Sequence, residues 1–186
     1  MKKILGIVGS PRKRGNTYYM VSRILDGAKK NGADTELIFL SEQIIKECDG
    51  CHTCWKGKTC CKNDDMIALY SKIIASDIII FGTPVYWYGP TAIMKVFIDR
   101  FVYFNCEKNR KKIRNKAAVI AVPFEDSTYK TSDLLVQFFE KSFEYLEMNL
   151  VDKILVPGVT KRGEVRNKES RMNECFMLGK KLARDT

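Results

Sequence analysis

Five of the seven cysteines of this chain lie in one short segment, CDGCHTCWKGKTCC, at 48–61. Four of them have the spacing C-x2-C-x2-C-x5-C: Cys48, Cys51, Cys54 and Cys60. Three thiolates at three-residue intervals can reach three corners of one cluster from a compact turn, and a fourth thiolate can occupy the last corner. Zinc sites more often divide their ligands into two separated pairs, so the crowding favours an iron-sulfur cluster over zinc or a metal-free thiol loop. Adjacent residues rarely reach one cluster together, which makes Cys61 the alternative to Cys60.

The single histidine narrows the range of mechanisms. His52 lies inside the cysteine segment, where we expect an exposed loop residue rather than a ligand. Hydrolysis by a serine-histidine pair is therefore implausible, whereas redox chemistry carried by a cofactor needs no such base. Cys106 and Cys175 stand alone in the sequence, and we expect them in the core or at an interface.

A second candidate site is the segment GSPRKRGNT at 9–17, which follows an apolar run and precedes a helical pattern. Its two glycines permit tight backbone geometry, and Ser10, Asn16 and Thr17 supply side-chain donors where the helix begins. The N-terminus of a helix attracts anions, so the segment predicts a phosphate site. It matches neither the dinucleotide fingerprint nor the ATP-binding P-loop. An ordinary turn with Asn16 or Thr17 as the helix cap is the alternative.

A third candidate site is the aromatic segment TPVYWYGP at 83–90. Pro84, Gly89 and Pro90 favour a rigid turn, and Tyr86, Trp87 and Tyr88 between them offer flat surfaces to a planar ring. Alternatively, these aromatic side chains cover a sheet edge or a subunit contact.

Alternating patterns predict the elements that position these segments. Five apolar, β-branched runs predict strands that are covered on both faces, at 2–10, 35–40, 76–84, 116–124 and 152–159. Helical spacing occurs between and after them, at 17–30, 65–75, 91–101, 132–146 and 166–183. In the second of these helices we expect Ile67, Leu69, Tyr70, Ile73 and Ile74 on the apolar side. Such alternation predicts an α/β fold with a parallel sheet between two helical layers, and a ligand at the carboxyl ends of its strands.

The bulk composition predicts a single domain over 1–186, with a cysteine-rich insertion at about 46–63. The N-terminus reads as a first strand rather than a signal peptide, and no apolar run is long enough to cross a membrane. We therefore expect a cytoplasmic protein with reduced cysteines. The formal charge of +10 favours acidic partners. Basic residues are not interleaved with aromatic ones, which disfavours nucleic acid.

The phosphate and aromatic segments together resemble the flavodoxin-like NADPH-dependent FMN reductase superfamily, over most of residues 1–105. The resemblance implies a flavodoxin-like, doubly wound, five-stranded parallel sheet of order 2-1-3-4-5, with FMN where the strand order reverses. It places the FMN phosphate on Ser10, Arg12, Asn16 and Thr17. It places the isoalloxazine ring along Pro84, Val85, Tyr86, Trp87, Tyr88 and Gly89.

The cysteine spacing, followed by NDDM at 63–66, resembles the iron-sulfur flavoprotein branch of the same superfamily. In that branch this loop carries a [4Fe-4S] cluster near FMN, often the FMN of a neighbouring subunit. The resemblance implies Cys48, Cys51, Cys54 and Cys60 as ligands, and a homodimer or homotetramer that transfers electrons between ferredoxin, or a similar carrier, and a small-molecule acceptor. The alternatives are a cluster-free FMN or quinone reductase that uses NAD(P)H and, in another class, a zinc-stabilised binding protein without catalysis.

Two later segments depart from the resemblance. VPFEDSTYK at 122–130 contains Glu125 and Asp126 but no glycine, where many relatives have a Gly-rich loop that approaches the flavin. Three interpretations stay open: the flavin edge is approached differently, a substrate is selected there, or the acidic pair caps a helix that begins near Thr131. The basic residues of 158–170 meet the extra phosphate of NADPH or an acidic carrier, or lie on a solvated surface.

Overall fold

The computed structural model describes residues 1–184 and contains one parallel sheet of five strands. The strands are β1 (Lys3–Val8), β2 (Asp34–Phe39), β3 (Ile78–Gly82), β4 (Ala117–Pro123) and β5 (Asn149–Val156). Their order is β2-β1-β3-β4-β5, and every neighbouring pair is parallel. The doubly wound, flavodoxin-like fold that the sequence predicts is confirmed. The order reverses between β1 and β3, which are direct neighbours.

Within residues 1–184, six α-helices connect or follow the strands. They are α1 (Asn16–Lys30), α2 (Met66–Ala75), α3 (Ala92–Asp99), α4 (Glu107–Arg110), α5 (Asp133–Tyr145) and α6 (Glu169–Arg184). Short 3₁₀ turns occupy Leu40–Glu42, Thr53–Lys56, Arg100–Asn105, Tyr129–Ser132 and Glu164–Asn167. Within the described residues no helix combines the length and the apolar character that a membrane crossing requires.

The sheet separates two apolar layers because successive side chains of a strand point to opposite faces. In β3, Ile78 and Ile80 pack with α1 and α6, whereas Ile79 and Phe81 pack with α2, α3 and α5. β3 is buried throughout, as expected for a strand covered on both faces. The same expectation is wrong for β2 and β5, where exposed residues alternate with more buried ones, because these strands form the two edges of the sheet.

Three further details correct the sequence-based expectations. β5 begins at Asn149, earlier than the predicted start at 152, because its ladder with β4 starts at the pair Ala117–Asn149. The strand ends at Val156, before Gly158 adopts φ +65°. Ile67 is 40% exposed although we expected it on the apolar side of α2, because Met66, Leu69, Tyr70 and Ile73 form the buried stripe. The helical turn α4 has no counterpart among the predicted helices.

Two glycines allow α1 and α6 to pack with their backbones almost in contact. A Cβ atom added at Gly179 would lie 1.8 Å from the carbonyl oxygen of Ile24, and one added at Gly27 would lie 2.0 Å from that of Phe176. Real side chains do not approach backbone atoms so closely, so no other residue fits without moving one helix. This contact fixes α1, whose first turn borders the site described below.

We predict that Gly179→Ala lowers the free energy of unfolding by about 1–3 kcal/mol, the usual cost of overpacking a tight contact. Urea denaturation of the purified variant measures the change. Asn173→Ala is the matched control, because Asn173 is exposed on the same helix and its replacement should leave stability nearly unchanged. Equal stability of the Gly179→Ala variant and the wild type would show that the two helices have room to separate.

Candidate functional site

The carboxyl ends of β1, β3, β4 and β5 surround one open cleft. Seven of its lining residues are among those predicted from the sequence: Ser10, Arg12, Asn16, Thr17, Pro84, Val85 and Tyr86. Six more line the same cleft: Pro123, Phe124, Glu125, Val159, Thr160 and Arg162. The remaining predicted ring contacts, Trp87, Tyr88 and Gly89, lie in the adjoining turn rather than in the lining. Two segments that are distant in sequence, 9–17 and 83–90, therefore meet at one site.

The first turn of α1 is suited to an anion. The helix begins at Asn16 with Gly15 as its N-cap, and no side chain caps it. Because Gly15 has no side chain to offer, the first N–H groups are left to water or a ligand. No acidic residue lies in this turn, and the guanidinium groups of Arg12 and Arg162 both line the cleft. The alternative interpretation, in which Asn16 or Thr17 caps the helix, is wrong because both residues lie within it.

The side chain of Asn16 is hydrogen-bonded to the wall of the cleft and is not free to bind a ligand. Its Nδ2 donates to the carbonyl oxygen of Lys161 at 3.1 Å, and its Oδ1 accepts from the N–H of Val165 at 3.1 Å. Arg12 also reaches this segment, with Nη1 donating to the carbonyl oxygen of Thr160 at 3.4 Å. The segment after β5 is thus bound to the loop after β1. Its contribution could be anticipated only from its basic residues, because the contacts join parts of the chain about 150 residues apart.

The loops that follow β1 and β3 are joined by short hydrogen bonds. The N–H of Gly9 donates to the carbonyl oxygen of Gly82 at 2.7 Å, and Thr91 Oγ1 donates to the carbonyl oxygen of Gly9 at 2.6 Å. Thr91 is also the N-cap of α3, where its Oγ1 accepts from the N–H of Met94 at 3.3 Å. Sequence reasoning missed Thr91, although a threonine directly before a helical pattern is a recognised cap signal. One buried hydroxyl therefore couples the cleft to the start of α3.

The aromatic segment forms a tight two-residue turn at the mouth of the cleft. The N–H and carbonyl groups of Tyr86 and Gly89 pair reciprocally at 2.9 and 3.0 Å. Between them, Trp87 and Tyr88 have φ values of 49° and 63°. Bulky residues rarely adopt this left-handed backbone, and such outliers concentrate at functional sites. Trp87 is 96% exposed, so the turn presents an uncovered aromatic surface.

The loop after β4 resolves one of the open alternatives. The carboxylate of Asp126 accepts from the N–H of Thr128 at 3.2 Å and from Thr131 Oγ1 at 2.7 Å. These hydrogen bonds lower the pKa of Asp126, that from Thr131 most strongly. No side chain caps the following 3₁₀ turn or α5, so the alternative in which the acidic pair caps a helix near Thr131 is wrong. Glu125 instead lines the cleft. The two acidic residues thus have different surroundings, and only Glu125 is placed to meet a bound molecule.

The five clustered cysteines line a second, smaller cavity. Other residues of the same loop line it as well, and Tyr70, Arg100 and Val102 line it from outside the loop. Cys54 is buried, Cys48 and Cys60 are half-buried, and Cys51 and Cys61 are exposed. The sulfur atoms of Cys51 and Cys61 lie 3.3 Å apart. Burial raises the pKa of Cys54, whereas a hydrogen bond with Thr53 lowers the pKa of Cys51.

These thiols have the chemistry of a cluster-binding set, but they are not already arranged around a point. Among residues 1–184, no three histidine, cysteine or acidic side chains form a ready-made metal site. The sulfurs of the loop would have to draw together for a cluster to be held. The backbone of the loop is compact, with a short 3₁₀ turn flanked by His52 and Gly57 in the left-handed conformation.

A buried ion pair lies beside the cysteine cavity, and one of its members, Arg100, lines that cavity. The side chains of Arg100 and Asp64 are 1% and 0% exposed, and Arg100 Nη1 lies 2.5 Å from Asp64 Oδ2. Burial alone would raise the pKa of Asp64, but the hydrogen bonds from Arg100 and from the N–H of Lys46 outweigh it and lower that pKa. Arg100 Nη2 also donates to Cys60 Sγ at 3.3 Å. Sequence reasoning missed this pair, whose members are 36 residues apart.

The helix α3 links the cleft to the cysteine cavity. It begins after Thr91, beside Gly9, and ends next to Arg100. Eight residues of α-helix span about 12 Å at 1.5 Å per residue. The two sites are thus held at the two ends of one short helix, which buries Met94, Phe97 and Ile98.

Comparisons with known proteins agree with this geometry. A model of the family "NADPH-dependent FMN reductase" matches residues 2–156. An iron-sulfur flavoprotein of Archaeoglobus fulgidus is 30% identical over 97% of this chain and 93% of its own length. An iron-sulfur flavoprotein of Methanosarcina thermophila is 38% identical over 54% of this chain and 52% of its own length.

Solved structures support the fold. An NAD(P)H:quinone oxidoreductase from Methanothermobacter marburgensis superposes with a TM-score of 0.72 at 14% identity, over 100% of this chain and 98% of that chain. At this identity the likeness concerns the architecture alone. The family match and the full-length relative carry the assignment: the chain belongs to the NADPH-dependent FMN reductase family and is a flavin-dependent oxidoreductase that uses FMN.

Proposed function

We propose that this chain is an iron-sulfur flavoprotein that transfers electrons between a ferredoxin-like carrier and a small-molecule acceptor. FMN occupies the cleft beside α1, and Cys48, Cys51, Cys54 and Cys60 hold a [4Fe-4S] cluster. The observation that carries the proposal is the gathering of five cysteines around one cavity whose floor is the buried cation Arg100. The full-length relative from Archaeoglobus fulgidus bears the name iron-sulfur flavoprotein, which supports it.

Different groups of the chain bind the phosphate and the ring of FMN. The uncapped first turn of α1, with Ser10, Arg12 and Thr17 nearby, binds the phosphate. Asn16 contributes through its backbone N–H, because its side chain already bonds to Lys161 and Val165. Val85 and Tyr86 border the ring. FMN, when bound, exchanges electrons in pairs or singly, and an iron-sulfur cluster exchanges one at a time.

Among the two adjacent thiols, Cys60 is the better ligand. It is half-buried and lies against Arg100, whereas Cys61 is exposed and lies against Cys51. An anionic thiolate next to a guanidinium is stabilised, so a cluster ligand at Cys60 has a compensating charge. Cys61 has no cation of this kind among its described hydrogen-bond partners.

The charge of the surface fits an acidic carrier. The chain has a formal charge of +10, and exposed Arg12 lines the flavin cleft, with exposed Arg14 two residues further along the same loop. Complementary charge raises association rates without requiring a large interface. We expect electron transfer from an acidic ferredoxin to slow steeply as ionic strength rises.

A cluster-free NAD(P)H-dependent FMN or quinone reductase is the second candidate. Two observations favour it. The sulfur atoms line their cavity without converging on one point, and Arg162 lines the cleft where a phosphate of the dinucleotide would approach.

Anaerobic purification separates the candidates. FMN with iron and sulfide supports the first, and FMN without iron supports the second. Zinc without flavin would support a zinc-stabilised binding protein instead.

We predict that Arg12→Ala weakens FMN binding by about 10-fold to 100-fold, because a hydrogen bond to a charged group contributes about 1.5–3 kcal/mol. Quenching of flavin fluorescence during titration of the apoprotein measures the affinity. Lys30→Ala removes the same charge from the far end of α1 and should leave the affinity unchanged. Equal weakening in both variants would show that net charge, rather than a contact at the phosphate, governs binding.

We predict that Cys51→Ala abolishes bound iron and sulfide while FMN remains at one per chain. The reason is that Cys51 is exposed and lines the cysteine cavity but not the flavin cleft. Metal analysis and flavin extraction of the same anaerobic preparation measure both quantities. Cys106→Ala, outside the cavity, is the control and should keep its iron. Iron retained by Cys51→Ala would remove this residue from the ligand set, and loss of both cofactors would make the loop structural to the whole fold.

We predict that the protein is a homodimer or homotetramer and that the aromatic turn lies at a subunit boundary. An aromatic side chain that is as exposed in the single chain as that of Trp87 is characteristic of a surface that a partner subunit covers. Sedimentation velocity at micromolar concentration measures the state, and Trp87→Ser should shift it toward smaller species. A wild-type monomer that still holds FMN would contradict the prediction.

A further inference from the structure

The side chain of Arg100 is placed to act on any cluster that the cysteine cavity holds. It is almost fully buried, at 1% exposure, and both of its terminal nitrogens bind Asp64, each with one further partner. Nη1 donates to Asp64 Oδ2 and to the carbonyl oxygen of Lys46 at 2.8 Å, while Nη2 donates to Asp64 Oδ1 at 3.3 Å and to Cys60 Sγ at 3.3 Å. A planar guanidinium can make these contacts together, which a lysine ammonium cannot reproduce in the same geometry.

The same ion pair closes the neck of the cysteine loop. Asp64 accepts from the N–H of Lys46 at 2.9 Å, and Arg100 bonds to the carbonyl oxygen of Lys46. Asp65 accepts from the N–H of Ile44 at 2.7 Å and returns a backbone hydrogen bond to its carbonyl oxygen at 3.0 Å. The two ends of the loop are therefore joined at its base, and the guanidinium of Arg100 lies inside that junction. Its contact with Cys60 is fixed by contacts that do not involve the sulfurs.

We propose that Arg100 is a positioning residue that raises the reduction potential of the cluster by donating a charged hydrogen bond to the sulfur of Cys60. This inference rests on the proposed function. One electron delivered by a carrier such as a reduced ferredoxin would make the total charge of a cluster held by these cysteines more negative by one. A donor to a ligand sulfur stabilises that added charge more than it stabilises the oxidised state. The fixed guanidinium thus favours electron entry.

A potentiometric titration monitored by electron paramagnetic resonance tests this role, with the FMN potential of the same samples as an internal reference. Arg100→Lys keeps a cation beside Asp64 but loses the fork that reaches Cys60. The double variant Arg100→Met/Asp64→Asn removes both charges, so that no unpaired buried charge is left to unfold the protein. We expect a more negative cluster potential in both variants, with an unchanged FMN potential.

Lys95→Met is the matched control, because Lys95 is exposed on α3 and pairs with Asp99 away from the cavity. It should leave both potentials unchanged. Full iron content with a wild-type cluster potential in Arg100→Lys and in the double variant would overturn this inference alone. A shift of equal size in the cluster potential of Lys95→Met would also overturn it, since the loss of one positive charge anywhere on the protein would then explain the shift. Wild-type protein with FMN but no iron would overturn the proposed function and this inference together.

Discussion

The close approach of the loops after β1 and β3 is the constraint on which the rest of this molecule depends. The hydrogen bond from Gly9 to Gly82 holds these loops at the point where strand order reverses, and Thr91 adds a second bond to Gly9. A Cβ atom at Gly9 would lie 2.9 Å from that of Met94, so no side chain fits between the loop and α3. Because the loops cannot separate, the segments 9–17 and 83–90 stay on opposite sides of one cleft.

The same constraint also determines what lies at the other end of α3. Thr91 fixes the start of the helix, and the chain reaches Arg100 after two turns. Arg100 then pairs with Asp64 beneath the cysteines, so the position of the thiol cavity follows from that of the cleft beside α1. A buried ion pair is costly unless both charges are well bonded. Here the carboxylate also accepts two backbone N–H groups, from Lys46 and Met66, which offsets the cost of burial.

Much of this arrangement could be predicted from the sequence, because it depends on local patterns. The strand-helix alternation predicts the sheet, and the segments at 9–17 and 83–90 predict most of the cleft lining. Contacts between distant segments could not be predicted in this way. Arg162, Thr91 and the pair Arg100–Asp64 acquire their roles only when the fold brings them to their partners. Asn16 shows the converse, since its type suggests a phosphate donor but its side chain is engaged by the segment after β5.

The central claim is that the ends of β1 and β3 bind a flavin through its phosphate, and a comparison of FMN with riboflavin tests it most directly. The two molecules share the ring and the ribityl chain, so a difference in affinity reports the phosphate alone. Titration of flavin-free protein should give one FMN per chain and an affinity for riboflavin at least about 100-fold weaker, given the strength of charge-assisted hydrogen bonds. Equal affinity for the two molecules, or failure to bind FMN, would contradict the account.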